Sequence, residues 1–387
     1  MATVETVSSL LDRVQSLESK IEDCRSDFDE NRRLPVGLRA ELVDRGLYRL
    51  WTPADLGGLE LSPPDAIRVI SELSRLEGAL GWNVMIPAAY SLVAGHLSRD
   101  ASEHVYGAVD SVVAGHLQPG GKAIVDGGHF EASGRWSFGS AGGEATWFLG
   151  QCFIEGQDAP QSSVPGMPPM RLLFAPAAEC EIHDVWHTWG LRGTGSNDYS
   201  MNRVQIPLDH SADLFANAPV HKGPLYRMPT LPTMIALVAA VPLGIARAAL
   251  DIGTEVMTEK RRFPTGELYS EREVVQAGIA RAENLVGAAE ALLLRRLETV
   301  WSTVQRGESP AVRDRALMRA AAAHVGESCV QAIDLVCELA GTNAIFQSGR
   351  LERCSRDVHT ARAHTAVSPN GLVEAGSVLF GGWSPTV

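Results

Sequence analysis

Near the C-terminal end two histidines, His359 and His364, stand five residues apart in the run DVHTARAHT. Helical side chains share a face at spacings of three or four, so this pair does not offer two ligands to one metal ion. A single histidine on a helix takes its function from its surroundings. The six cysteines, at 24, 152, 180, 329, 337 and 354, include no Cys-x-x-Cys pair. That excludes a zinc ribbon and a dithiol redox motif, and reads as buried free thiols in a reducing compartment. No metal is expected.

The phrase GLRGTGSNDYSMNRVQIP (190–207) opens like a dinucleotide fingerprint, but Asp198 stands where the third glycine belongs. The residues after it alternate like a strand, whereas a dinucleotide site needs a helix N-terminus there. A tight turn between strands is the better reading, with Gly195, Ser196 and Asn197 a usable flavin or substrate wall. The segment GGHFEASGRWSFGSAGGEATWF (127–148) gathers Trp136, Phe138, Gly139 and Ser140 among further glycines and serines. Glycines permit close approach and aromatic faces supply contact, which suits a flat aromatic cofactor. The same composition is common at strand ends of any antiparallel sheet.

The elements that must position these residues fall into three zones. To about residue 110, apolar residues recur at helical steps (Val4, Val7, Leu10, Leu11, Val14, Leu17, Ile21), punctuated by Pro35, Pro53 and Pro63–Pro64. Residues 111–212 change to short β-branched and aromatic runs, read as antiparallel strands, with 155–170 a loop or hairpin extension. From 213 to 387 long helical seams return, among them Val275, Ile279, Ala282, Val286, Ala289, Leu293, Leu297 and Val300, which build a bundle. With 387 residues and 45% of them hydrophobic, the chain has ample core for two or three units. The 34 Lys and Arg against 46 Asp and Glu leave a formal charge of −12 with no basic cluster, which argues against nucleic acid. The N-terminus carries acid before its first basic residue, the reverse of a signal peptide, and the most apolar run, 234–246, is too short to span a membrane. A soluble cytoplasmic protein, without membrane contact, is expected.

Several phrases, in this order, resemble the acyl-CoA dehydrogenase superfamily: LYRLWTPADLGG (47–58), HLQPGG (116–121), GRWSFGSAGGEATW (134–147) and LERCSRD (351–357). The resemblance implies an acyl-CoA dehydrogenase-like fold, with an N-terminal helical domain, a middle antiparallel β domain and a C-terminal four-helix bundle. It also implies a bound flavin. One departure decides the chemistry. The family's Glu base, nine residues after the Arg of the Arg-Asp signature, is here Thr365, and neither 358–373 nor 214–250 contains an acid.

His364 stands beside the vacated position. With GALGW (78–82), GTGSND and GRWSFGSAG it makes the chain similar to the oxygenase components of two-component flavin monooxygenases. That resemblance implies reduced FMN or FAD delivered by a separate, transiently bound reductase, a C4a-hydroperoxide formed with dioxygen, and hydroxylation of a small aromatic or amine substrate. His364 would be the substrate base, its ordinary pKa near 6.5 suiting proton transfer, with His116 second in line. Trp136, Phe138, Gly139 and Ser140 would wall the flavin, and Trp82 with Gly195, Ser196 and Asn197 would shape the substrate site. Arg261 and the turn Gly341, Thr342 and Asn343 would meet the flavin across a subunit contact, implying a homotetramer. An acyl-CoA dehydrogenase or oxidase, and a flavin-free binding relative, are the alternatives.

Overall fold

The computed structural model describes residues 7–156, 159–164, 166–216, 219–384 and 387. Val4 of the first apolar series, and residues 157, 158 and 165 of the 155–170 loop, lie outside the described residues. Short helices α1 (Val7–Gln15), α2 (Glu18–Asp23), α3 (Arg25–Glu30) and α4 (Leu38–Asp44) lead into α5 (Pro63–Leu76), α6 (Gly78–Ser91) and α7 (Arg99–Tyr106). Prolines at the first two positions of α5 need no amide partner there, and the Ser62 hydroxyl accepts from the Asp65 N–H at 3.3 Å to start it. Every residue of α6 is buried, because other elements enclose it. A Cβ at Gly81 would stand 1.9 Å from Ser74 Oγ, so that glycine is what lets α6 cross α5 closely.

Seven strands come next: β1 (Val113–Asp126), β2 (His129–Gly139), β3 (Trp147–Glu155), β4 (Met170–Pro176), β5 (Cys180–His183), β6 (Asn197–Pro207) and β7 (Ser211–Ala212). Their order is β5-β6-β2-β1-β3-β4-β7. The sheet is mixed, not purely antiparallel: β1 and β3 run parallel. Period-two alternation reveals strands but not their directions, and here the chain turns back at β2, passes Gly142–Glu144, and returns on the far side of β1.

The C-terminal part holds α8 (Thr230–Val238), α9 (Ala240–Glu259), α10 (Glu273–Gln305), α11 (Val312–Ala340), α12 (Arg350–Arg362) and α13 (Asn370–Leu379). The seam Val275, Ala282, Val286, Ala289, Leu293, Leu297 and Val300 is buried as its spacing requires. The apolar run 234–246, too short by itself to cross a membrane, belongs to a longer helical stretch, Thr230–Glu259, which has that length and composition. Some 89% of its most apolar window is buried inside the protein, where the bundle supplies its apolar surroundings.

Candidate active site

Strand β1 breaks its pairing with β3 at two points between His116 and Gly121, and β2 breaks its pairing with β6 between Trp136 and Gly139. These irregularities lie at the same end of the sheet, leaving Leu117, Gln118, Ser137 and Phe138 outside those ladders. Facing β1 are α6, α8 and the turn after α12. Between them lies a cavity of about 370 Å³, walled by Met85, Tyr90, His116, Gln151, Met234 and His364 with further apolar side chains. Among the described residues its wall contains no aspartate and no glutamate. Thr365 lines it beside His364, so the place vacated by the family's acid does open on the cavity.

His364 is half-buried, and its desolvation first, then the nearby His116 and Arg319, push its pKa down to about 4. The ring is therefore neutral at pH 7. Its Nδ1 accepts the Ala366 N–H at 3.2 Å, which puts the remaining ring proton on Nε2. In this tautomer the free nitrogen is a hydrogen-bond donor, whereas the base expected of His364 would need it bare. Trp82 packs edge-on against the ring at 5.4 Å. The turn itself is clamped by Arg319, a fully buried arginine absent from the sequence expectations. It donates to the Ala366 carbonyl at 2.7 Å, the Thr365 carbonyl at 2.8 Å and Glu374 Oε2 at 2.8 Å. A Cβ at Gly371 would come within 2.2 Å of Arg319 Nη1, which explains that glycine.

Behind His364 runs a row of hydroxyls with one direction. Trp82 Nε1–H donates to Ser140 Oγ at 3.0 Å, Ser140 meets Ser196 at 2.6 Å, Ser196 meets Thr194 at 2.6 Å, and Thr194 donates to the Leu191 carbonyl at 2.8 Å. A carbonyl only accepts, so each hydroxyl proton points toward Leu191. Ser140 has spent its proton and keeps one lone pair. Trp82 and Ser196, expected as substrate contacts, are members of this row, and neither lines the cavity.

Other expected contacts are also reassigned. Trp136 is 1% exposed; its ring stacks on Tyr199 at 5.4 Å and its Nε1–H donates to the Gln151 carbonyl at 3.0 Å. A Cβ at Gly120, Gly121 or Gly150 would strike that ring, at 2.6, 2.4 and 2.7 Å, so those glycines make room for a core tryptophan, not for a cofactor. Gly139 likewise yields space to Tyr199. Asn197 Oδ1 accepts the Val185 and Trp186 amides at 2.9 Å each, holding the loop that carries Trp186, and Gly195 turns at φ 52° on a separate polar cavity; neither lines the His364 cavity. Phe138, by contrast, is exposed, at φ 61°, with its ring 6.1 Å from both His116 and Trp186.

Gln151 was not expected. Its Oε1 is buried on the cavity wall and accepts no hydrogen bond. At one end of the bundle, Lys260 Nζ donates to the Ala340 carbonyl at 2.6 Å, capping α11, which brings the segment 260–268 against the Gly341–Ala344 turn. Arg261 is exposed there and donates to the Gly266 carbonyl at 2.8 Å; neither it nor Gly341, Thr342 or Asn343 lines the cavity.

Comparison with known proteins agrees with this geometry. Residues 8–106 match the family Acyl-CoA dehydrogenase, N-terminal domain, and residues 236–369 match Acyl-CoA dehydrogenase, C-terminal domain. The chain belongs to the acyl-CoA dehydrogenase superfamily. An indole-3-acetate monooxygenase of Pseudomonas putida is 26% identical to it, over 92% of this chain and 89% of that protein. The flavin-dependent monooxygenase, oxygenase subunit HsaA, of Mycobacterium tuberculosis is 26% identical over 96% and 94%. The 3-HSA hydroxylase structure from Rhodococcus sp. RHA1 superposes with TM-score 0.90 at 23% identity, covering 97% of this chain and 98% of that one. Within the superfamily, the chain stands with flavin-dependent monooxygenases, and Thr365, where the family's acid would stand, is where it parts from the dehydrogenases.

Proposed function

We propose that this chain is the oxygenase component of a two-component monooxygenase, which takes reduced flavin from a separate, transiently bound reductase and hydroxylates a small aromatic substrate. The observation that carries this reading is the apolar cavity bearing two histidines and, among the described residues, no carboxylate. A dehydrogenase of this fold has no base to remove a substrate proton there.

Reduced flavin, when bound, supplies two electrons, so that one oxygen atom of dioxygen enters the substrate, the other leaves as water, and the flavin returns oxidised. The residues present fit such a ring. Ser140 retains a lone pair and no proton, which suits the N–H that the reduced ring carries and the oxidised ring lacks at the same position. Phe138, His116 and the irregular backbone at 117–118 and 137–138 offer a face and edge contacts. Met85, Ile86, Met234 and Val238 exclude water from the substrate side. His364 Nε2–H donates toward the substrate side, and Gln151 Oε1 accepts a substrate hydroxyl or N–H. Arg261 and the Gly341–Asn343 turn would take the phosphate-bearing part of the flavin in a homotetramer. All six cysteines are unpaired, in keeping with a cytoplasmic setting.

Ser140→Ala tests the flavin contact. It removes one neutral hydrogen-bonding group, worth about 0.5 to 1.5 kcal/mol, and frees Ser196. The expected result is a larger share of consumed oxygen appearing as hydrogen peroxide, with the fold intact and the thermal unfolding midpoint lowered modestly because Trp82 Nε1–H loses its acceptor. Unchanged coupling of oxygen to product would place Ser140 away from the flavin.

Arg319→Ala tests the clamp. Losing the donors to the 365 and 366 carbonyls should release the turn and lower kcat more than it raises the KM for substrate. Arg319→Lys, which keeps charge but not the fork, should recover only part. If kcat holds while stability falls, Arg319 is a core residue and nothing more.

A further inference from the structure

Val164, Phe215, Leu231 and Trp383 line both the His116–His364 cavity and a second cavity beside it, of about 210 Å³. The first is mostly apolar. The second is mixed, with Ser163, Thr230 and Ser384 on its wall and one cation, Arg315, from the first turn of α11. Arg315 Nε is buried without a hydrogen-bond partner, and among the described residues no ion pair holds its guanidinium.

The surroundings sharpen this. One turn along the same helix, Arg319 has its donors engaged by Glu374 and two carbonyls. Asp213, whose carboxylate accepts the Ser163 hydroxyl at the cavity wall, is itself held by Arg171 Nη1 at 2.8 Å. Arg315 is thus a cation with a buried donor unanswered among the described residues, next to the substrate cavity. An unanswered buried donor is costly, and a planar guanidinium matches a carboxylate through paired hydrogen bonds better than it matches any neutral group.

We propose that Arg315 recognises the carboxylate of the substrate, and that the substrate is therefore an aromatic acid. Its ring lies in the first cavity beside Gln151, His116 and His364, and its side chain passes the neck formed by Val164, Phe215, Leu231 and Trp383 to bring the carboxylate to Arg315. The neutral amide of the same acid fills the same space and cannot accept two charge-assisted hydrogen bonds, so it binds more weakly. This inference rests on the hydroxylase reading for what the first cavity does, but the carboxylate contact is a binding property and is measurable without turnover.

The test is isothermal titration of the full chain with phenylacetate, 3-phenylpropionate and 4-phenylbutyrate, each beside its own amide. The expected result is that at least one acid binds about tenfold or more tightly than its amide, the scale of one charge-assisted contact. Arg315→Met should abolish that ratio while leaving the amide's affinity and the affinity for reduced flavin as they were, and Arg315→Lys should keep part of it. Equal binding of every acid and its amide, no binding of any of them, or a preference that survives in Arg315→Met would each overturn the proposal. A failure of the hydroxylase reading shows differently, as a chain that selects acids through Arg315 yet binds no reduced flavin.

Discussion

His364→Ala is expected to slow hydroxylation by roughly 10² to 10⁴, the usual range for a positioned proton-handling group, while reduced flavin still binds. The structure adds a second expectation that separates donor from base. Because Nδ1 is occupied by the Ala366 amide and the proton sits on Nε2, His364→Gln, whose amide N–H also donates, should recover part of the rate. A base could not be replaced in that way. The pH dependence comes from the same ring. With its pKa held at about 4, His364 stays neutral from pH 5 upward, so the rate should show no imidazole limb near pH 6.5. The unfolded chain binds the proton first, so this histidine's contribution to stability is complete above pH 6.5 and is lost as pH falls through about 4. Between pH 7 and pH 5 that loss is on the order of 2 kcal/mol, and it should vanish from His364→Ala. Wild-type hydroxylation by His364→Ala across pH 6 to 9 would remove the residue from the mechanism and bring His116 forward.

The other large effect is on stability. Arg353 donates to Glu77 Oε2 at 3.0 Å and Asp29 Oδ2 at 2.6 Å, tying α12 to the N-terminal helices. The Glu77 side chain is 1% exposed and also caps α6, and nearby Arg356 pairs with Asp29 and Glu352. Asp357 completes the group, accepting the Leu191 N–H at 2.6 Å; burial first, then Glu77, raises its pKa above the ordinary carboxylate range. Arg353→Ala leaves Glu77 buried with Arg25 alone and should cost about 3 to 5 kcal/mol, read as a lowered urea midpoint. Breaking the exposed Arg306–Glu308 pair should leave the midpoint where it is. An unmoved midpoint in Arg353→Ala would show that the network does not hold the two regions together.

Local pattern carries some of this protein far and the rest not at all. The long seam of α10 was legible because burial at every third or fourth position is a property of one segment, and the loss of the acid near His364 was legible because the signature before it is contiguous. The parallel pairing of β1 with β3 was not, since alternation is blind to strand direction. The buried setting of Trp136 was not legible for a related reason. Which face of a bulged strand a side chain takes depends on register shifts against β6, and the glycines whose spacing suits a flat cofactor fit around its ring. Gln151, Arg315 and Arg319 carried no sequence signal. Their roles come from what they face, and the partners of Arg319 lie 46, 47 and 55 residues away.

Anaerobic titration of the purified chain with dithionite-reduced flavin and, separately, with oxidised flavin tests the central claim most directly. It needs neither the substrate nor the reductase. With Ser140 able only to accept, the reduced form should bind more tightly, by up to about tenfold for that one contact. Oxidised flavin bound as tightly as the reduced form, or more so, would contradict it.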